Sequence, residues 1–380
     1  MATYNQFQQL YCLSAASNAV GTLTGTEADL QAAMNTTLTK YIPQLTGSWK
    51  VTWGPRVFKS DPNNTTMGPD NAWFAAIDET QELCVVAVAG TSGSSIPGWC
   101  IDFNVNNVVD FTAWTSTWSS QGIPPPPIAI PMPGKAYASQ GTCIGVYNIL
   151  NNESTLAASG QRLGDYIRNL VLPTGYKVIF TGHSMGGAVA PTAALGLLNA
   201  KMSSPGKTSI LPSAGATPGN EQLVQAFTAA FPPGSAPSPS EPYAVFNTDF
   251  FNTLDIVPQA WSLDPSSGRY MNNINNIYSN AGPLMKLYIK SLVAEFSKKP
   301  GVMYEPIAGT SFTGPEITPV VSLAQLKHQI LIEHTTAYWT VIGITSWVRE
   351  VIQHLVKQPG VEKPSVESFV LPGEDEVKGE

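Results

Sequence analysis

Charge is scarce in this chain of 380 residues: Asp, Glu, Lys and Arg together make up 12%, about half the usual share. The surface must therefore rest on Ser, Thr, Asn, Gln and Pro. No cluster of Lys or Arg stands out, and the formal net charge of -7 leaves neither a basic footprint for nucleic acid nor an evident attraction to anionic membranes. No apolar run reaches the length needed to span a bilayer. The opening residues, Met1-Ala2-Thr3-Tyr4-Asn5, lack the charged and apolar regions of a signal peptide. A mature secreted chain given a starting Met is favoured over a cytoplasmic protein.

Cysteine and histidine are also sparse, with four of each. Cys84 lies within an apolar run and reads as a small core residue. Cys100 and Cys143 flank a Pro-rich segment, 123–134, and a disulfide between them is one option. Sequons begin at Asn35, Asn63, Asn64 and Asn152; they permit secretion without requiring it. Apolar residues nevertheless reach 43%, enough for a sizeable core, and no internal repeat divides the chain.

The informative junction is Gly182-His183-Ser184-Met185-Gly186, directly after the apolar run Tyr176–Thr181. A Gly-x-Ser-x-Gly between a buried strand and a small-residue helix predicts a nucleophile elbow, a sharp turn that lifts a serine hydroxyl clear of the sheet. Larger side chains at the flanking glycines would collide with neighbouring backbone. Around this junction the pattern predicts helices over 4–19, 27–41 (with Thr26 as N-cap), 143–170, 186–199, 283–297 and 337–355. It predicts strands over 73–78, 83–89, 176–181, 209–217 and 243–247. Alternating strands and helices argue for one doubly wound α/β domain over residues 1–356. Residues 1–70 read as a helical extension of it, and residues 357–380 as an acidic, flexible tail.

A serine needs a base, and the base needs an orienting acid. His183 adjoins the serine around a tight turn and points elsewhere, so it fills a pocket beside the elbow. His354 sits near a helix C-terminus. His334, in an expected strand-to-helix loop after Ile330-Leu331-Ile332, is the preferred base, with His328 its rival. The usual chain order of this fold puts the acid between serine and histidine. Asp255 is preferred there, with Asp249 and Asp264 as alternatives. Acyl transfer also requires oxyanion donors. The backbone N–H of Met185 is one, and the loop Gly90-Thr91-Ser92-Gly93 is placed to supply another.

Taken together these segments resemble the class 3 lipase family, the fungal-type triacylglycerol lipases, from about Trp73 to Trp347. Val85–Thr91 is similar to the family's strand ending in the oxyanion residue, which implies Thr91. Thr181–Ala188 resembles its elbow and implies Ser184. Ala216-Thr217-Pro218-Gly219-Asn220, Asn252-x-x-Asp255-x-Val257-Pro258 and His334-Thr335-Thr336-Ala337-Tyr338 resemble its later motifs. Ala89 departs from the pattern, standing where the family has Arg.

The resemblance implies an α/β-hydrolase fold, a single mostly parallel sheet flanked by helices, with a lid or cap insertion. It also implies ester hydrolysis by Ser184, Asp255 and His334, with no cofactor and no metal. The expected partner is a lipid or other ester, met at an oil–water interface. Residues 96–118 and the helix 283–297 are candidates for the lid or acyl groove. A phospholipase, a feruloyl-type carbohydrate esterase and a non-catalytic lipid-binding protein are the alternatives. Oligomeric state is left open.

Overall fold

A computed structural model describes residues 3–90, 104–118 and 122–355, apart from the side chains of 170–172. Its frame is a seven-stranded sheet in which spatial order follows chain order. The strands are β1 (Lys50–Phe58), β2 (Asn71–Asp78), β3 (Leu83–Val88), β4 (Lys177–His183), β5 (Thr208–Ser213), β6 (Asp249–Asn252) and β7 (Gly309–Phe312). β1, β2 and β3 are antiparallel neighbours, and every later pairing is parallel. Parallel strands are covered on both faces, and their sequences reflect it: all six residues of β3 are buried. A smaller four-stranded sheet gathers 108–110, 137–139, 219–220 and 304–305.

Two apolar clusters sandwich the main sheet. On one face, helices α3 (Gln140–Asn151) and α4 (Met185–Asn199) pack with Val86, Val88, Val178 and Phe180. The other face carries Val85, Ala87 and Ile179, covered by α1 (Gln6–Ser17), α2 (Glu27–Tyr41) and the C-terminal α8 (Thr345–Leu355). Between them in sequence lie α5 (Pro283–Phe296), α6 (Leu323–Leu331) and α7 (Ala337–Ile342). Local signals start the helices as expected. Asn5 and Gln8 form a reciprocal capping box on α1, and Thr26 accepts from the Asp29 N–H at 3.2 Å to open α2.

Several expectations give way to local chemistry. The segment 243–247 is no strand: Asn247 takes φ 65° and pairs with Ile210 through both its N–H and its side-chain oxygen. The strand begins instead at Asp249. The expected helix 143–170 stops at Asn151, where the Asn152 side chain turns back to the Asn148 carbonyl at 2.9 Å. The helix 337–355 is interrupted by Gly343 at φ 81°, a left-handed helix stop. β1 escaped the sequence reading because Gly54-Pro55 splits its alternation, and bulges absorb the mismatch. Cys143 is a free, buried thiol; Cys100 lies outside the described residues.

Candidate active site

The elbow follows from steric exclusion. β4 runs into Ser184, whose φ of 61° and ψ of -125° are strained for a residue with a Cβ, and α4 starts at the next residue. A Cβ on Gly182 would lie 2.4 Å from the Gly186 carbonyl oxygen, and one on Gly186 would lie 2.3 Å from that of Val88. Neither position admits a side chain. The strained turn is tied down by Ser184 N–H donating to the Ser213 carbonyl at 3.0 Å and by Gly187 N–H donating to the Ser184 carbonyl at 2.9 Å. The Met185 N–H sits at the positive end of a fifteen-residue helix, where partial charge favours an anion.

Asp255 and His334 converge from opposite parts of the chain. Asp255 lies three residues beyond β6, 1% exposed, and accepts from His334 Nδ1 at 2.7 Å. A carboxylate there fixes the tautomer with Nδ1 protonated and leaves Nε2 to act as a base. His334 is 4% exposed. It does not follow a strand as expected. The run Ile330-Leu331-Ile332 is helical, and His334 occupies a π-helical turn, Ile332–Thr336, between α6 and α7. Such single wide turns re-aim a side chain within an otherwise continuous helix. His334, Ser184, His183 and Gly90 all line one cavity of ≈ 170 Å³.

Neighbours of the histidine hold it in place. Tyr338, one turn along, donates its hydroxyl to the same Asp255 oxygen at 2.9 Å and accepts from the Asn252 N–H at 2.9 Å. His183 does fill a pocket beside the elbow. One ring nitrogen contacts the His334 carbonyl at 2.7 Å and the other the Ser213 hydroxyl at 3.0 Å. Burial, and then the adjoining His334, push its pKa down to about 3, so it stays neutral. Glu333 is buried, accepts from Asn252 and Gln329, and its carboxyl is held above the usual range by burial.

The rival residues lie in other surroundings. Asp249 is buried in an ion pair with Arg269 and accepts from the Gly215 N–H at 3.1 Å. Asp264 caps a short turn at Pro265–Ser267, and its backbone and side-chain bonds with Ser266 hold its pKa down. His328 is exposed on α6, and His354 meets Lys40 and the ring of Tyr41. Thr91 lies outside the described residues. Its neighbour Gly90 is placed beside the elbow: a Cβ there would lie 2.9 Å from Ser184 Cβ, and its N–H donates to Asn18 at 2.7 Å.

Sequence reasoning missed Tyr338 as an orienting residue, although a tyrosine four positions after a histidine on a helix shares its face. It also missed that α1 and α8 wall the serine cavity, through Tyr11, Ala15, Trp347, Val348 and Val351. No local signal carries that, because the contact joins the two ends of the chain. Of the lid candidate 96–118, residues 104–118 are described, and their large apolar side chains serve as core. Val109, Phe111 and Trp114 are buried, and Trp118 closes over Gly196 of α4. Among the described residues no group of three or more His, Cys, Asp or Glu could hold a metal, and no helix is long and apolar enough to cross a membrane.

A mostly parallel sheet with a strained serine between its central strand and a helix, and with Asp255 and His334 following in that order, is the arrangement of the α/β-hydrolase fold. Residues 144–264 match the family model described as lipase (class 3). The matched segment, which holds both Ser184 and Asp255, is similar to the class 3 lipases. Its fold is similar to the crystal structure of M37 lipase, with a TM-score of 0.68 and 22% identity, covering 93% of this chain and 100% of that one. It is also similar to a lipase from Rhizopus microsporus var. chinensis (TM-score 0.41, 18% identity, 71% and 72% covered). Lipase II from Rhizopus niveus gives a TM-score of 0.40 and 17% identity, with 67% and 74% covered. No curated protein matches the chain.

Proposed function

We propose that this chain hydrolyses lipid esters, triacylglycerols foremost, through an acyl-Ser184 intermediate. The observation that carries the reading is the pairing of His334 with Asp255 at 2.7 Å on the wall of the cavity that Ser184 also lines. His334 Nε2 takes the proton from Ser184 Oγ as that oxygen attacks the ester carbonyl carbon. The carbonyl electrons move onto the oxygen, where the Met185 N–H, together with Thr91 as the family motif implies, meets the developing charge. Collapse breaks the bond to the alcohol oxygen, which leaves with the proton from His334. Water, deprotonated by the same nitrogen, then releases the acid and restores the serine. The walls from α1 and α8 are largely aliphatic and aromatic, which suits an acyl chain better than a sugar.

The test is hydrolysis of p-nitrophenyl esters from acetate to palmitate. Ser184→Ala should lower turnover by about 10⁴–10⁶-fold on every chain length, and the wild type should favour medium or long chains. A preference for acetate would replace the lipid reading with a small-ester or carbohydrate esterase. Turnover that survives Ser184→Ala would sink the serine mechanism, and none in the wild type would leave a lipid-binding protein.

A further inference from the structure

Helix α5 is amphipathic, and its outward face is not what a water-exposed helix needs. Inward, Ile289, Val293 and Phe296 are buried, and they wall an apolar cavity of ≈ 70 Å³ together with Ile256 and Val257, the two residues that follow Asp255. Outward, Leu284 is 78% and Leu287 67% exposed, and Val321, against the helix start, is 65% exposed. Lys286 and Lys290 are exposed on the helix, flanking these apolar side chains, and Lys298 is exposed just beyond its end. None of the three takes part in an ion pair among the described residues, while Glu295, the helix's single acid, is matched by Lys299. The whole chain has 27 acids to 20 bases, so the segment 283–299 reverses the sign of the molecule. The lysines are spread over 286–298 rather than run together, and no basic cluster stands out in the sequence for that reason.

We propose that the outward side of α5, with Val321 and the turn after the helix, docks the protein on an anionic phospholipid surface: Leu284, Leu287 and Val321 enter the headgroup boundary while the flanking Lys286, Lys290 and Lys298 meet lipid phosphates. Exposed apolar side chains flanked by lysines are the composition that lies in a membrane interface. Docking by this face would bring the apolar cavity behind α5, and with it the Asp255 side of the site, toward the lipid. The inference deepens the reading of the protein as a lipid-ester hydrolase by naming the surface on which it works.

The experiment is co-sedimentation of the full chain with POPC vesicles and with POPC vesicles containing about one-third POPG. Wild type should bind the anionic vesicles at least about 25-fold more tightly, the product of two lysines at about fivefold each, with the difference shrinking in high salt. Lys286→Gln with Lys290→Gln should remove about fivefold per lysine on anionic vesicles alone. Leu284→Ser with Leu287→Ser should weaken binding to both. Equal wild-type binding to the two vesicles, binding to neither, or a lysine double variant that binds like wild type would each overturn the proposal. None of these residues lines the Ser184 cavity, so hydrolysis of dissolved p-nitrophenyl butyrate should be unchanged in all variants. That assay reports on the ester-hydrolase reading independently: its failure in the wild type would strike that reading and leave the vesicle result standing.

Discussion

At the residue scale, the site is a set of buried polar groups each held by a specific partner. Asp255→Asn should keep the fold, checked by an unchanged thermal midpoint, yet lower kcat by about 10⁴-fold, because an amide no longer fixes the tautomer of His334. Tyr338→Phe removes a donor to Asp255 and leaves the Asn252 N–H without its acceptor. It should cost about 1–3 kcal/mol of stability, and denaturant unfolding would read that directly. A kcat unchanged in this variant would show that Asp255 needs no second donor.

His183 makes a pH prediction. Its folded pKa of about 3 lies below the usual value of about 6.5. Between those two values the unfolded chain binds a proton that the folded chain refuses. The stability present above about 6.5 is therefore lost as pH falls toward about 3, by at most about 1.4 kcal/mol per pH unit. His183→Gln should flatten that limb of the melting curve against pH relative to wild type, and parallel limbs would show that His183 does not titrate this way.

At the element scale, the strand–serine–helix junction was legible because its constraint is local. Two glycines flank one serine where backbone passes within contact of any Cβ, and that demand is written in a pentapeptide. Gly186→Ala should cost about 1–3 kcal/mol through overpacking against Val88 and Ala89 and should lower kcat along with the thermal midpoint. A fully active, equally stable variant would remove this account of the elbow. Other elements were harder to see for equally definite reasons. The run Ile330-Leu331-Ile332 has the composition of a strand, but Leu326 and Ile330 are one turn apart and both buried, and burial on one face made it helix. The strand before Asp255 was placed too early because Tyr243–Asn247 is apolar enough to read as extended, whereas Asn247 ties it as a loop to β5.

At the scale of the whole molecule, the candidate site is assembled by parts that lie far apart in the chain. α1 and α8, near opposite ends of the sequence, cover one face of the sheet and form the cavity that opens on Ser184. Chain-length preference should therefore respond to substitutions remote from the catalytic motifs. Val351→Trp on α8 should cut turnover of the palmitate ester by at least about tenfold relative to acetate, the value of a few methylenes of burial. An unchanged chain-length profile would mean that the acyl chain lies elsewhere.

The sequence by itself determined the fold class and the serine on its turn, and it singled out Asp255 and His334 as candidates. Those properties depend on residue type, short-range periodicity and motif order. Only the tertiary structure decided that His334 sits on a π-turn, that Tyr338 and His183 brace it, that Asp249 is held by Arg269, and that the ends of the chain wall the cavity. Each of these is a contact between residues distant in sequence or a choice between two locally acceptable conformations. Burial and hydrogen-bond satisfaction across the folded chain settle such choices, and neither can be computed from a short window of residues.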